Sequence, residues 1–134
     1  MAEEVGEGGT FAAVGYHDAM PVVRIVSSAD TPEDCGGLLR GLSQLLAREL
    51  GKPESYVMTC LEPRAQMTFG GTSGPVCYVE VKNVGVLTPD VTQRLSAAIC
   101  ESLTAAFAVP GDRIYVEFSE SQPHLWGYAG GTFA

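Results

Sequence analysis

The chain has 134 residues, 46% of them hydrophobic, which is enough for one compact domain with its own core. Its formal net charge is −8 with only 8 basic residues, which argues against a nucleic-acid or anionic-membrane partner, because both require clustered Lys and Arg. No apolar run approaches the ~20 residues of a membrane span.

Residues 1–20 differ in composition from the rest of the chain. They contain four acidic residues, no Lys or Arg, and the run GEGG, so we predict a disordered acidic Gly-rich extension followed by a folded domain at 21–134. The basic start and long apolar stretch of a signal peptide are missing. We therefore expect a cytoplasmic protein, with secretion that needs no signal peptide as the alternative.

Met20 and Pro21 immediately precede the alternating apolar run VVRIV, at residues 22–26. Inside a chain, the Pro21 nitrogen is an amide with no lone pair to offer, whereas at a free terminus it is a secondary amine that accepts a proton. A chain that started at Met20 would lose this methionine and begin at Pro21, because methionine aminopeptidase removes an initial Met that is followed by a small residue. Whether this chain can be an enzyme depends on which case applies.

From Pro21 onward the chain matches itself at a shift of 57 residues. In the first copy, VVRIV is followed by apolar residues at helical spacing and then by the strand-like YVMTCL, at 56–61. In the second copy, YVEVKN at 78–83 is followed by a similar helical pattern and by RIYVEF at 113–118. Each copy predicts one β-α-β unit.

Both predicted helices begin with Thr at the N-cap, Thr31 and Thr88, followed by Pro at the first helical position. Gly51 is predicted to end the first helix in a left-handed conformation. Because each unit forms a right-handed parallel crossover, we predict an α/β (α+β) protein with a four-stranded mixed sheet and two helices on one face. The strands place apolar groups on both sides, so oligomerisation would cover the open face. Short segments at 67–69 and 125–128 are predicted edge strands that pair with neighbouring copies of the chain.

Other motifs favour structural roles. The four cysteines include no Cys-x-x-Cys pair and are interpreted as reduced core thiols. The sequence has two histidines, both in predicted loops, which argues against a metal centre and against a catalytic triad. The run FGGTSGP, at 69–75, precedes no helix and predicts a turn rather than a phosphate cradle. Glu80 and Glu117 are interpreted as solvated or interface carboxylates rather than a catalytic pair.

The duplicated layout, the Met-Pro pair and four stretches together resemble the macrophage migration inhibitory factor (MIF) and D-dopachrome tautomerase family. The stretches are GKPESYVM (51–58), FGGTSGP (69–75), DRIYVEF (112–118) and GTFA (131–134). The resemblance covers Pro21 to Ala134 and is strongest to plant and protist members. It implies a homotrimer whose three sheets wrap into a barrel.

Members of this family with a free N-terminal proline tautomerise small aromatic α-keto acids and dopachrome-like compounds, and the resemblance implies the same activity here without a cofactor. An N-terminal amine has an unperturbed pKa near ~8, and apolar burial or a neighbouring cation lowers that pKa. Such a base is unprotonated in the cell and still removes a proton next to a carbonyl.

By matching position, the resemblance makes Pro21 the base and places Lys52 at the pocket rim, where it attracts a substrate carboxylate. Lys52 follows a predicted helix C-terminus, so a solvated cation that favours the helix dipole is the alternative. The other implied substrate-binding residues are Asn83, Val84, Tyr115, Glu117, Trp126, Tyr128 and Phe133.

Two of these residues raise particular questions. The family supplies the tyrosine at position 115 from the adjacent subunit, although a core or interface tyrosine in a strand is the alternative. Glu117 occupies a position that often carries an amide in the family, and this anion would repel a substrate carboxylate if it faced the pocket. The Cys-x-x-Cys of the animal cytokine would fall at Val76 and Val79, so we predict no thiol oxidoreductase activity.

Three hypotheses about function follow. The first is a trimeric tautomerase that uses Pro21 as general base, after synthesis from Met20 or removal of the extension. The second is a non-catalytic MIF-like cytokine or binding protein, with a protein receptor as partner, whose Pro21 stays acylated by the extension. The third is that the extension is a regulatory segment that covers the pocket until it is cut.

Overall fold

The computed structural model describes residues 21–134, and the predicted extension at 1–20 lies outside the described residues. Four strands form one sheet in the order β2-β1-β3-β4: β1 (Val22–Ser27), β2 (Met58–Glu62), β3 (Cys77–Val84) and β4 (Ile114–Ser121). β1 pairs in parallel with β2, β3 pairs in parallel with β4, and β1 and β3 are antiparallel. The predicted four-stranded mixed sheet is confirmed.

Two helices connect the strands, α1 (Cys35–Leu50) between β1 and β2, and α2 (Pro89–Phe107) between β3 and β4. A short 3-10 turn precedes the second strand of each unit, at Glu54–Tyr56 and at Gly111–Arg113. These two turns are also related by the shift of 57 residues. The duplication therefore extends from the strands and helices to the connections between them.

The predicted start of α1 is wrong, whereas the predicted start of α2 is confirmed. Thr88 caps α2 and accepts a hydrogen bond from the Val91 N–H. In α1 the N-cap is Asp34, three residues after Thr31, and its Oδ1 accepts the Gly37 N–H at 3.0 Å. Asp is as good a cap as Thr, and glycine at position 37 makes room for it, because a Cβ there would collide with the carboxylate.

The helix-covered face of the sheet holds the core. β1 and β3 alternate, so that every second side chain, including Val23, Ile25, Val79 and Val81, is fully buried against the helices. The helices contribute one apolar face each. Their fully buried members are Leu42, Leu46, Leu95, Ile99 and Leu103, each 0% or 1% exposed. Gly51 ends α1 at φ 64°, as predicted.

The opposite, open face of the sheet carries charge at its centre and apolar side chains towards its ends. Arg24 contacts Glu62 at 2.7 Å and Glu80 at 3.3 Å, and the Tyr78 hydroxyl lies 3.1 Å from Glu80 Oε2. The Arg24 guanidinium, first by hydrogen bonding and then by its charge, holds the pKa of the Glu62 carboxyl below its usual value. This face is accordingly more polar than the strand sequences predict.

Within a single chain, 67–69 forms no strand, and Phe69 makes an isolated bridge to Thr72. The segment at 125–128 contributes β5 (Gly127–Tyr128), which pairs with β6 (Gly131–Thr132) as a small hairpin. All four cysteines are free thiols, and burial raises the pKa of Cys77 and Cys100. Within residues 21–134, neither helix combines the length and the apolar character needed to cross a membrane.

Candidate active site

Most of the sequence-predicted site residues lie at one end of the sheet, where β1 and β2 begin and β3 ends; Tyr115 and Glu117 do not. Pro21 lies there, buried, immediately before β1, and its carbonyl accepts the Met58 N–H at 3.1 Å. The first residue of β1 thus aligns with the first residue of β2, and the proline ring is fixed at the rim of the core.

A cavity of about 240 Å³ opens at this end of the sheet. It is lined by Val22, Ser55, Tyr56, Val57, Met58, Trp126, Gly127 and Tyr128. The aromatic rings form a continuous wall, because Tyr128 meets Tyr56 edge-on and stacks on Phe133, with 5.5 Å between centroids in each case. Aromatic walls of this kind suit a small planar substrate.

The carboxy-terminal segment closes the site from one side. The Phe133 N–H is within hydrogen-bonding distance of the carbonyls of Pro123, at 3.2 Å, and Trp126, at 3.3 Å, which folds the end of the chain back onto the hairpin. Phe133 and Val84 are buried together, and Tyr56 and Trp126 pack against them. The structure therefore brings four of the predicted residues, Val84, Trp126, Tyr128 and Phe133, into one apolar cluster.

Lys52 reaches the same end of the sheet because α1 runs back along the strands. It follows the left-handed Gly51, its N–H donates to the Ala47 carbonyl at 2.9 Å, and its side chain is half-buried. A cation in this position lies near both the helix C-terminus and the end of the sheet that holds Pro21. The geometry is compatible with the pocket role and with the helix-dipole role.

Asn83 is fully buried, and it lies opposite Pro21. The antiparallel register pairs Val22 with Lys82, so the next position along both strands pairs Pro21 with Asn83. Neither Oδ1 nor Nδ2 of its carboxamide has a hydrogen-bond partner. Buried amides are normally satisfied, so this one requires an explanation.

Tyr115 and Glu117 lie on β4, away from the cavity. Tyr115 is 65% exposed on β4, and its ring centroid lies 5.0 Å from that of Phe69. The strand register puts Tyr115 level with Val26 of β1. At ~3.3 Å per residue, Val26 is about 17 Å along the strand from Pro21. Glu117 is exposed on the open face, opposite Glu80. Within a single chain neither side chain reaches the cavity.

Six of the eight cavity residues were not assigned a role from the sequence, and Tyr56 and Met58 have the largest side chains among them. Both fall in the GKPESYVM stretch that carries the family resemblance, and an aromatic residue just before a strand was the available signal. Met58 is 61% exposed, which is unusual for a methionine at the start of a strand in a β-α-β unit. It provides an apolar floor that is open to solvent.

The lining supplies shape and hydrophobicity rather than acid or base groups. It contains no His, Cys or carboxylate, and its polar side chains are the hydroxyls of Ser55, Tyr56 and Tyr128 and the Trp126 indole. Within residues 21–134, no three His, Cys, Asp or Glu side chains cluster in a way that could hold a metal ion. The group beside this cavity that could act as a base is the nitrogen of Pro21, provided that it is a free amine.

Comparison with known proteins agrees with this architecture. The family model for macrophage migration inhibitory factor matches residues 20–134. A MIF homolog from Trichuris trichiura is 31% identical over 114 residues, covering 85% of this chain and 100% of the relative. The MIF of Rattus norvegicus is 31% identical over 109 residues, covering 81% of this chain and 92% of the relative.

Solved structures give the same result. The crystal structure of a MIF homologue from Prochlorococcus marinus has a TM-score of 0.82 and 42% identity, and the match covers 84% of this chain and 99% of that one. MIF2 from Leishmania major has a TM-score of 0.77 and 26% identity, covering 86% of this chain and 98% of that one. The chain therefore belongs to the macrophage migration inhibitory factor family.

Proposed function

We propose that the protein is a keto-enol tautomerase for small aromatic keto acids of the phenylpyruvate or dopachrome type, with the amine of Pro21 as general base in a chain that begins at that residue. The MIF family is known for tautomerase activity and for cytokine roles. The observation that carries the proposal is a buried proline beside an aromatic-walled cavity that contains no other candidate base.

The extent of the family match supports a working chain that starts at Pro21. The family model begins its match at Met20, and the relative from Trichuris trichiura is matched over its full length by 85% of this chain. Pro21 is buried, and burial of an amine there would disfavour its protonated form. Its pKa then falls from ~8 towards neutrality, where it is an effective base.

The reaction moves one proton within the substrate. The neutral Pro21 amine removes a proton from the carbon next to the keto group, and the electron pair moves to the carbonyl oxygen as an enolate. The protonated amine then returns the proton to that oxygen, which gives the enol and restores the base. Lys52 attracts the substrate carboxylate, while Tyr128 and Phe133 hold the aromatic ring. No bond to a cofactor forms or breaks, so the reaction requires none.

A homotrimer completes the site in this proposal. Tyr115 and Glu117 are exposed on an edge strand of the sheet and cannot reach the cavity of their own chain, so a neighbouring copy would supply them. The open sheet face would be covered in the same assembly. Glu117 would then bring a negative charge towards the pocket and disfavour substrates with a carboxylate nearby.

The experiment compares three forms of the protein: the full chain, a chain made from Met20 and trimmed to Pro21, and the trimmed chain with Pro21→Gly. We expect the trimmed chain to interconvert keto and enol phenylpyruvate, the full chain to be inactive, and Pro21→Gly to lower kcat/KM by about 10²-fold, within the range of general-base catalysis. Pro110→Gly, at the 3-10 turn before β4 and outside the cavity lining, is the control and should keep its activity.

Equal activity of the full and trimmed chains would refute the assignment of Pro21 as the base. Intact mass of the protein from its own cells provides a separate test. A mass that begins at Pro21 supports the tautomerase, whereas retention of Met1 or Ala2 supports the hypothesis of a binding protein with a blocked proline.

A further inference from the structure

The carboxamide of Asn83 is the least satisfied polar group in the part of the chain that the structure describes. Its side chain is 0% exposed, and both Oδ1 and Nδ2 lack a hydrogen-bond partner. Every other buried side-chain nitrogen or oxygen in residues 21–134 has a partner. Burial of an amide without partners is unfavourable, so a sequence that keeps Asn here has a use for it.

The register of the sheet puts this amide next to the proposed base. Continuing the antiparallel register one position beyond the Val22 and Lys82 pair sets Asn83 on β3 opposite Pro21, the residue immediately before β1. Both are buried, on the same face as Val23 and Val81. Opposite side chains on one face have Cβ atoms about 4.5–5.5 Å apart, and the carboxamide of an Asn extends beyond that atom.

The nitrogen of Pro21 can use this amide in only one chemical form. Inside a chain it is a tertiary amide, with no hydrogen to donate, so it leaves Asn83 Oδ1 without a partner. At a free terminus it is a secondary amine with one N–H when neutral and two when protonated. An acceptor beside it is then satisfied in both protonation states.

We propose that Asn83 is a positioning residue for the Pro21 amine, whose N–H donates a hydrogen bond to Asn83 Oδ1 in a chain that begins at Pro21. This inference rests on the proposed function, since it presumes that trimmed chain. The bond selects one of the two positions that the hydrogen can take on the pyramidal ring nitrogen, so that the lone pair faces away from the core. The NH2 group of Asn83 is left to a buried water, as is common for buried amides.

A single label reports on this hydrogen bond, because Asn83 is the only asparagine in the sequence. Protein labelled with ¹⁵N-asparagine gives one side-chain NH2 pair in a proton-nitrogen correlation spectrum. We compare the trimmed chain with a matched control that retains Met20, in which the Pro21 nitrogen is still an amide. We expect the NH2 pair to shift between the two and, in the trimmed chain alone, to shift again as the amine is titrated. An unchanged NH2 pair would overturn the proposal.

A second test measures how a substitution of Asn83 changes stability, and the expected change differs between the chain that retains Met20 and the trimmed chain. Asn83→Leu replaces the amide with an apolar group of similar size. In the chain that retains Met20, the substitution removes an amide without partners, so the urea midpoint should stay constant or rise. In the trimmed chain, the substitution removes an amide that is hydrogen-bonded to Pro21, so the urea midpoint should fall. A shift of the same sign in both forms would contradict the proposal. If the variant does not fold, the spectra of the unsubstituted chains decide the question.

Neither measurement uses a substrate, so the two proposals fail separately. A trimmed chain that shows the amide shift and no tautomerase activity would refute the proposed function and retain the role of Asn83. A trimmed chain that is active but has an unchanged amide signal would do the reverse.

Discussion

The two β-α-β units share one backbone plan and differ at the positions that could carry chemistry. At the shift of 57 residues, Pro21 corresponds to Tyr78 and Lys52 corresponds to Val109. Lys52 is half-buried near the cavity, whereas Val109 is fully buried in the core. The second unit therefore has neither a candidate base nor a cation at these two equivalent positions.

The second unit uses that end for packing. Arg113 donates to the Pro75 carbonyl at 2.8 Å and to Thr72 Oγ1 at 2.9 Å, and it lies over the Phe69 ring at 5.5 Å. These contacts tie the loop at 69–75 to the start of β4. The comparison indicates that duplication supplied the scaffold twice, and that a few side chains at one end of the sheet made the candidate site.

Core truncation at equivalent positions tests whether the two units share one core, and it has the largest expected effect. Leu46 and Leu103 are related by the shift and are both 0% exposed. We expect Leu46→Ala and Leu103→Ala each to lower the free energy of unfolding by about 2–5 kcal/mol, through lost burial and a residual cavity. Urea unfolding at one fixed protein concentration measures this. A loss confined to one variant would show that the units are not equivalent in stability.

Substitution of Lys52 tests the chemical difference between the units. In the trimmed chain, we expect Lys52→Met to lower kcat/KM for a keto acid by about tenfold, or ~1.4 kcal/mol, since the carboxylate loses its cationic partner. The methyl ester of the same substrate should be unaffected. Arg40→Met, which removes an exposed cation from the middle of α1, is the control. Equal losses for acid and ester would assign Lys52 a role in stabilising the helix end instead.

Substitution of the helix N-caps is a smaller test, because the N-cap residues of α1 and α2 do not lie at equivalent positions of the two units. We expect Asp34→Ala and Thr88→Ala each to cost about 1 kcal/mol of stability, because each removes a side-chain acceptor for an N–H in the first turn. Thr31→Ala should have almost no effect, since Thr31 is exposed and does not cap α1. Thermal or urea unfolding distinguishes the three variants. A large loss for Thr31→Ala would place the cap at that residue.

The smallest expected effect concerns the ion pair on the open face. Arg24 lowers the pKa of Glu62 below its ordinary value of 4.5, so the pair stabilises the folded state above about pH 4.5 and this contribution is lost as the pH falls through the lowered pKa. Both side chains are well exposed, so the effect is small and is screened by salt. We expect Glu62→Gln to lose less stability than the unsubstituted chain when acidified. Glu101→Gln, on an exposed helix position, should behave like the unsubstituted chain.

The regular elements could be predicted because their signals are local. Alternation in VVRIV, the spacing of leucines in α1 and the Thr88-Pro89 start of α2 each depend on residues close in sequence, and each is confirmed. The predicted start of α1 was wrong because Thr31 and Asp34 are both good N-cap residues, and only the backbone conformation in the folded chain selects between them. The segment at 67–69 was predicted to pair with a neighbouring copy, and within one chain it makes only the bridge from Phe69 to Thr72.

The sequence by itself determined the β-α-β repeat, the residues available at the ends of the strands and the resemblance to one family, because periodicity, caps and motifs are written in neighbouring positions. Only the tertiary structure decided which of those residues meet. It put Tyr56 and Met58 into the cavity wall, set Asn83 opposite Pro21 with no partner for its amide, and left Tyr115 and Glu117 on a distant edge strand. Strand order and register fix these relations, and both depend on contacts between segments far apart in the chain.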